Sequence, residues 1–216
     1  MKSIALSTAF FLVTLGLTGC SNRPPTPDWQ MNTKTHLEHA VDAYLSGNER
    51  VATPEFERAR VEVTRTGRPD LLARVELVRC ASHVASLDLT PCTGFEALRH
   101  DAAPAEQAYA DYLAGRLQPK DATLLPGAHR AVAGGAVDLP AGADALTRLV
   151  AAAVVLQTGK ASPALVAQAV ETASTQGWRR PLLAWLKVQL KLAEQGGAAS
   201  EVDRIRRRID LVQGKP

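Results

Sequence analysis

Aromatic residues are scarce in this chain: three Trp, three Tyr and four Phe, 5% of its 216 residues. The apolar share, 46%, is carried mainly by Ala, Leu and Val. Ala and Leu are strong helix formers, so the mixture favours close-packed helices over a sheet. A dominant charge is also missing. The formal net charge is +3, and no concentrated basic face of the kind a nucleic-acid binder carries is evident, so no nucleic-acid partner is expected. Cysteine is sparse, at three residues, too few for a dense disulfide net, and the apolar fraction suffices for a core without one. Reaction machinery is lacking as well. There is no G-x-S-x-G, no H-E-x-x-H, no phosphate-cradling glycine-rich loop and no G-x-G-x-x-G. No catalytic residue, cofactor or metal is therefore assigned, and the chain is read as a non-enzyme.

The N-terminus is the most specific part. Met1-Lys2-Ser3 carries one positive charge, and Ile4 to Gly16 follows as an uncharged apolar stretch. A permanent membrane helix needs roughly 20 apolar residues, so this length suits a signal peptide. Leu17-Thr18-Gly19-Cys20 then resembles the lipobox of bacterial lipoproteins. That resemblance implies cleavage before Cys20, diacylglycerol on its sulfur, and acylation of the new amine. With Ser21 rather than Asp next, it also implies an outer-membrane address facing the periplasm. An ordinary secretory signal with an incidental Cys is the alternative. Residues 1–19 are thus read as signal peptide and 20–30 as lipidated cysteine and tether. Pro24, Pro25 and Pro27 make the tether extended. The mature sequence is also similar to a group of proteobacterial lipoproteins, a resemblance that brings no activity with it.

Residues 31–216 show a 3.6-residue apolar period and no sustained alternation, which predicts an all-α domain. Leu37, Ala40, Val41 and Tyr44 form one stripe, ending at Gly47. Thr53-Pro54 reads as a cap followed by proline at the first helical position. That helix carries Phe56, Ala59 and Val63 and stops at Gly67, and Pro69-Asp70 opens a third, with Leu71, Leu72, Val75, Val78 and Ala85 inward. Similar punctuation returns later: a helix from Leu149 to Leu156, a stop at Gly159, Ser162-Pro163, a stop at Gly177, and Pro181-Leu182-Leu183. Repeated helical hairpins follow. Tyr44-x-x-Gly47 with Ala52, Phe56 and Ala59 resembles the middle of a tetratricopeptide repeat, over residues 37–85 and more weakly 145–195. The resemblance implies antiparallel hairpins in a right-handed stack. The connection before Pro69 is too long for that family, and its 34-residue period is absent. Halves 31–116 and 142–216 are expected, joined by an irregular segment 117–141 that holds a short helix near His129. Ser200-x-x-Asp203 reads as a capping-box start to a last helix with Val202, Ile205, Ile209 and Val212 on one face.

Cys80 and Cys92 remain after Cys20, and an exported location makes a disulfide the leading expectation. Two buried thiols, or a metal site with His83, are the alternatives. His36 and His39, three apart on a helix, lack a third ligand. Arg204, Arg206, Arg207 and Arg208 are either a lipid-facing patch or a solvated helix face. Trp178, Arg179 and Arg180 are the best candidates for a partner surface, because Trp and Arg concentrate at binding hot spots. Trp185 is assigned to the core. Tyr109 and Tyr112, sharing a helix face, either line a groove or pack inside. The expectation is a membrane-anchored scaffold, held by lipid on Cys20, that binds another envelope protein. A binder of a small molecule, lipid or glycan is the second class. An enzyme using dispersed acids such as Glu96 and Asp101 is the third. Oligomeric state is not legible.

Overall fold

The computed structural model describes residues 25–139 and 142–215; the signal peptide, the lipobox and Cys20 lie outside them. The described residues are all-helical, without strands, and the helices pack as a stack of hairpins.

Helix α1 (Asp28–Ser46) and helix α2 (Glu49–Thr64) form the first hairpin. The turn between them is Gly47, held at φ 85°, where only glycine avoids a steric penalty, and Asn48. Two boundaries differ from expectation. Helix α1 begins at Asp28, so the tether ends at Pro27 rather than residue 30. Helix α2 begins at Glu49, which places Pro54 inside it rather than at its start. Proline there removes one helical donor. Pro54 sits on the exposed face, so the freed carbonyl of Arg50 can turn to water.

Helix α3 (Pro69–Ala85) is the central element and packs on α1 and α2. The chain leaves it through Leu87, the only non-glycine described with positive φ, at 58°. It then returns to α3 through the Cys80–Cys92 disulfide, whose Cα atoms are 5.8 Å apart. Gly94, in the short helix α4 (Thr93–Glu96), lies so close to Glu76 that a Cβ there would strike its carboxylate. A 3₁₀ turn (Arg99–Asp101) leads into helix α5 (Pro104–Leu113), which also packs on α3.

Residues 117–139 are more regular than the sequence suggested. A 3₁₀ helix (Pro119–Leu124) and helix α6 (Gly127–Ala133) pack together and against α5 and the following helix. His129 falls within α6, as expected.

Helices α7 (Ala145–Gln157), α8 (Pro163–Thr175), α9 (Arg179–Gln195) and α10 (Ala199–Gln213) complete the chain, each packed on the next. The Ser162 hydroxyl accepts from the Leu165 N–H at 3.1 Å, the cap read from Ser162-Pro163. Asp144 caps α7 the same way, accepting from Thr147 at 3.0 Å. Ser200 is not a cap: α10 already runs from Ala199. Val202 and Ile205 are buried beneath α10, with Ile209 and Val212 packed beside them.

The two halves share one core. Tyr44, Leu77 and Phe95 belong to the same buried cluster as Val150, Val166 and Trp185. Helix α3 meets α7, and α9 comes back to α1, so the stack closes on itself. The Nε1–H of Trp185, which is fully buried, donates to the Ala85 carbonyl at 3.1 Å across the join.

Candidate functional site

Helix α1 carries one broad apolar face whose middle is buried and whose flank is open. Ala40, Ala43 and Tyr44 point into the core and are buried. Trp29, Leu37 and Val41, on the same apolar side of the helix, are only partly buried and line an open groove of about 540 Å³. The groove floor is Val63 from α2 with Leu71, Val75 and Val78 from α3, and Leu146 and Trp178 stand at its far side. From Trp29 to Asp42 the α1 wall is about 20 Å long at 1.5 Å rise per residue.

A second lobe of about 480 Å³ adjoins it between α3, α5 and the 3₁₀ helix. Arg74, Val78 and Leu146 line both lobes, so they form one apolar channel across this face. Tyr109, Leu124 and Leu125 line the second lobe.

Several of the polar groups along the channel pair with one another, while one Glu106 carboxylate oxygen in the second lobe is buried without a partner among the described residues. Lys34 lies 3.7 Å from Glu38 on the outer row of α1. The Trp178 indole N–H donates to Asp42 at 3.1 Å. Arg74 donates to Glu106 at 2.7 Å, tying α3 to α5. The Thr33 hydroxyl donates to the Trp29 carbonyl at 2.7 Å, so its one hydrogen is already committed. The aliphatic floor thus offers contact area but no hydrogen-bonding partner.

No family model, curated protein or solved structure significantly matches this chain.

The residues proposed from sequence as a partner surface occupy different positions. Trp178 contributes to the groove wall while bonded to Asp42. Arg179 is exposed. Arg180 is used internally: its guanidinium lies 4.1 Å from the Tyr44 ring centroid, and it donates to the Tyr44 carbonyl at 2.8 Å and to Glu49 at 2.7 Å. These contacts lock α9 to the first hairpin. Burial pushes the Tyr44 hydroxyl up to about 12. Tyr44 also stacks on His83, with ring centroids 4.4 Å apart.

Tyr112 is buried at 1% exposure, so it is core rather than groove lining. Tyr109 does both, packing beside Tyr112 and edging the second lobe. His129 completes the cluster, with its Nδ1 3.2 Å from the Tyr112 hydroxyl. Burial drives the His129 imidazole below its ordinary value, Asp144 opposing it, and raises both tyrosines.

The other candidates resolve into ion pairs. His36 bonds Glu55 at 2.6 Å, and His39 is exposed on α1. Among the described residues no three His, Cys, Asp or Glu side chains gather as a metal site. Arg204 pairs with Glu201 and Arg206 with Glu194, so half of the basic run faces acids. Glu96 is gripped by Arg99 and Arg116, and the hydrogen bond from Arg99 holds its carboxyl below the usual range. A carboxylate so held is a poor proton donor. Asp101 sits apart from it, 3.0 Å from His100.

Sequence reasoning missed the groove itself. By sequence Leu37 and Val41 belong to the core stripe, and only the packing of the other helices leaves them partly open.

Proposed function

We propose that this chain is a membrane-anchored helical scaffold of the bacterial envelope whose apolar channel receives an amphipathic helix from a partner protein. The anchor is the lipid on Cys20, and the address is the outer membrane facing the periplasm. The observation that carries the proposal is the open aliphatic channel bounded by Leu37, Val41, Val78 and Leu146. Large exposed apolar surfaces mark interaction sites. An occupant of this channel meets mainly aliphatic side chains, so it must satisfy its own backbone groups, as a helix does. An α1 wall of about 20 Å matches an occupant of about 13 helical residues.

Photo-crosslinking in cells tests the proposal, with the photoreactive side chain at Val41 or Val78. Val61, 54% exposed on α2, serves as the control position. The expected result is one dominant envelope protein, captured through an apolar helix face and lost in Leu37→Glu. Equal capture at Val61, or capture unaffected by Leu37→Glu, would overturn it.

A further inference from the structure

We infer that the resident ligand of the channel is an acyl chain of the protein's own N-terminal lipid. The inference rests on the lipid-bearing Cys20 of the proposed function and names what fills the channel until a partner arrives. The first observation is where the chain enters the fold. Helix α1 starts at Asp28, and Trp29, the next residue, already lines the groove. The lipidated position of the proposed function is therefore nine residues from the groove mouth by sequence.

Reach and concentration both favour this occupant. Nine residues of chain can span at most about 30 Å, which bounds how far Cys20 can lie from the mouth. Within that bound an acyl chain can enter along the α1 wall. Linkage by so short a tether gives an effective concentration on the order of millimolar, which no free lipid in the aqueous periplasm approaches.

The lining fits the chemistry. Leu37, Val41, Leu71, Val75 and Val78 are aliphatic, and in the first lobe Lys34 lies beside Glu38 and Trp178 is bonded to Asp42. A polymethylene chain brings no donor or acceptor and leaves none unsatisfied. The channel and the bilayer interior are similar solvents for it, so exchange between them is reversible. A partner helix that displaces the acyl chain returns it to the membrane.

Metabolic labelling decides the matter. Cells expressing the full chain are fed palmitate carrying a diazirine and an alkyne, irradiated, and the purified protein is digested and mapped. The expected product is a cross-linked pair joining the Cys20 peptide, through its acyl chain, to residues 29–42 or 71–78. Val78→Glu, at a half-buried position, should lower that yield about tenfold or more, since an unpaired carboxylate beside an acyl chain is strongly disfavoured. Its helical circular dichroism should be unchanged. Labelled Cys20 peptide cross-linked only to phospholipid would overturn the inference and leave the anchored scaffold standing. Loose palmitate on the channel peptides, without the Cys20 peptide, would also overturn it by making the ligand a free lipid. An unlabelled Cys20 peptide would overturn the lipid anchor itself, and the inference with it.

Discussion

Trp185 is where the closure of the stack can be measured. It is fully buried in α9, 100 residues from the carbonyl its indole N–H meets, that of Ala85 at the end of α3. Trp185→Phe keeps an aromatic ring but removes that donor and part of the volume. The void of about 40 Å³ costs about 1 kcal/mol at about 24 cal/mol per Å³. The orphaned carbonyl adds about 1–2 kcal/mol, the lower part of the range for an unsatisfied buried group. Together these give a loss of about 2–3 kcal/mol. For a domain this size, a melting temperature falls about 2–4 °C per kcal/mol, so a drop of about 5–10 °C is expected. Trp185→Ala should lose more, about 3–5 kcal/mol. Urea unfolding followed by far-ultraviolet circular dichroism and by the fluorescence of Trp29 and Trp178 reads both stability and cooperativity. Coincident transitions are expected, because one core spans both halves. A Trp185→Phe loss below about 0.5 kcal/mol, the range of ordinary surface substitutions, would refute the locking role of α9. So would two separate transitions in the unmodified protein.

Three further outcomes are open to measurement. Replacing Cys80 and Cys92 by serine opens a ring with a sequence separation of 12. The chain-entropy relation gives a loss of about 3 kcal/mol, checked by urea unfolding alongside a free-thiol count. Asp144→Ala removes the α7 cap and should cost about 1 kcal/mol, with Ser162→Ala similar at α8, measured as a shift in unfolding midpoint. The His129 imidazole is held below its ordinary value of 6.5 by burial. Neutral His129 therefore stabilises the fold fully above pH 6.5, and that contribution is lost as pH falls toward the depressed folded value. Stability measured between pH 7.5 and 5 should fall less steeply in His129→Gln than in the native chain. An equal slope would show that the Tyr112–His129 cluster does not couple to folding.

The helices and their ends were largely legible because their causes are local. Gly47, Gly67, Gly159 and Gly177 all adopt positive φ, at 85°, 64°, 71° and 68°, where the sequence placed stops. Ser162-Pro163 caps and starts α8 as read. The same rules misplaced three starts, among them that of α9, which begins at Arg179 rather than at Pro181. The turn before Thr53-Pro54 is helical because antiparallel packing of α2 on α1 outweighs the proline penalty at an exposed position. Ser200 is bypassed because helical turns begin at Ala199, one residue earlier.

Side-chain destinations separated more sharply. The sequence by itself determined an all-helical chain, the order of its hairpins, the Cys80–Cys92 pairing as the leading expectation, and Trp185 as core. Periodicity, turn chemistry and cysteine number act over a few residues, or need no geometry at all. It could not divide Leu37 and Val41 from Ala40 and Tyr44, because all four share one helix face and only the neighbouring helices decide which part is covered. Nor could it show that Arg180 clamps Tyr44 and Glu49, contacts separated by 136 and 131 residues. Only tertiary packing, by bringing α9 onto α1 and α3 onto α7, buried the middle of that face and left its flank beside an open channel. Which surface a buried chain must leave unfilled depends on how all the helices meet, and no local pattern carries that information.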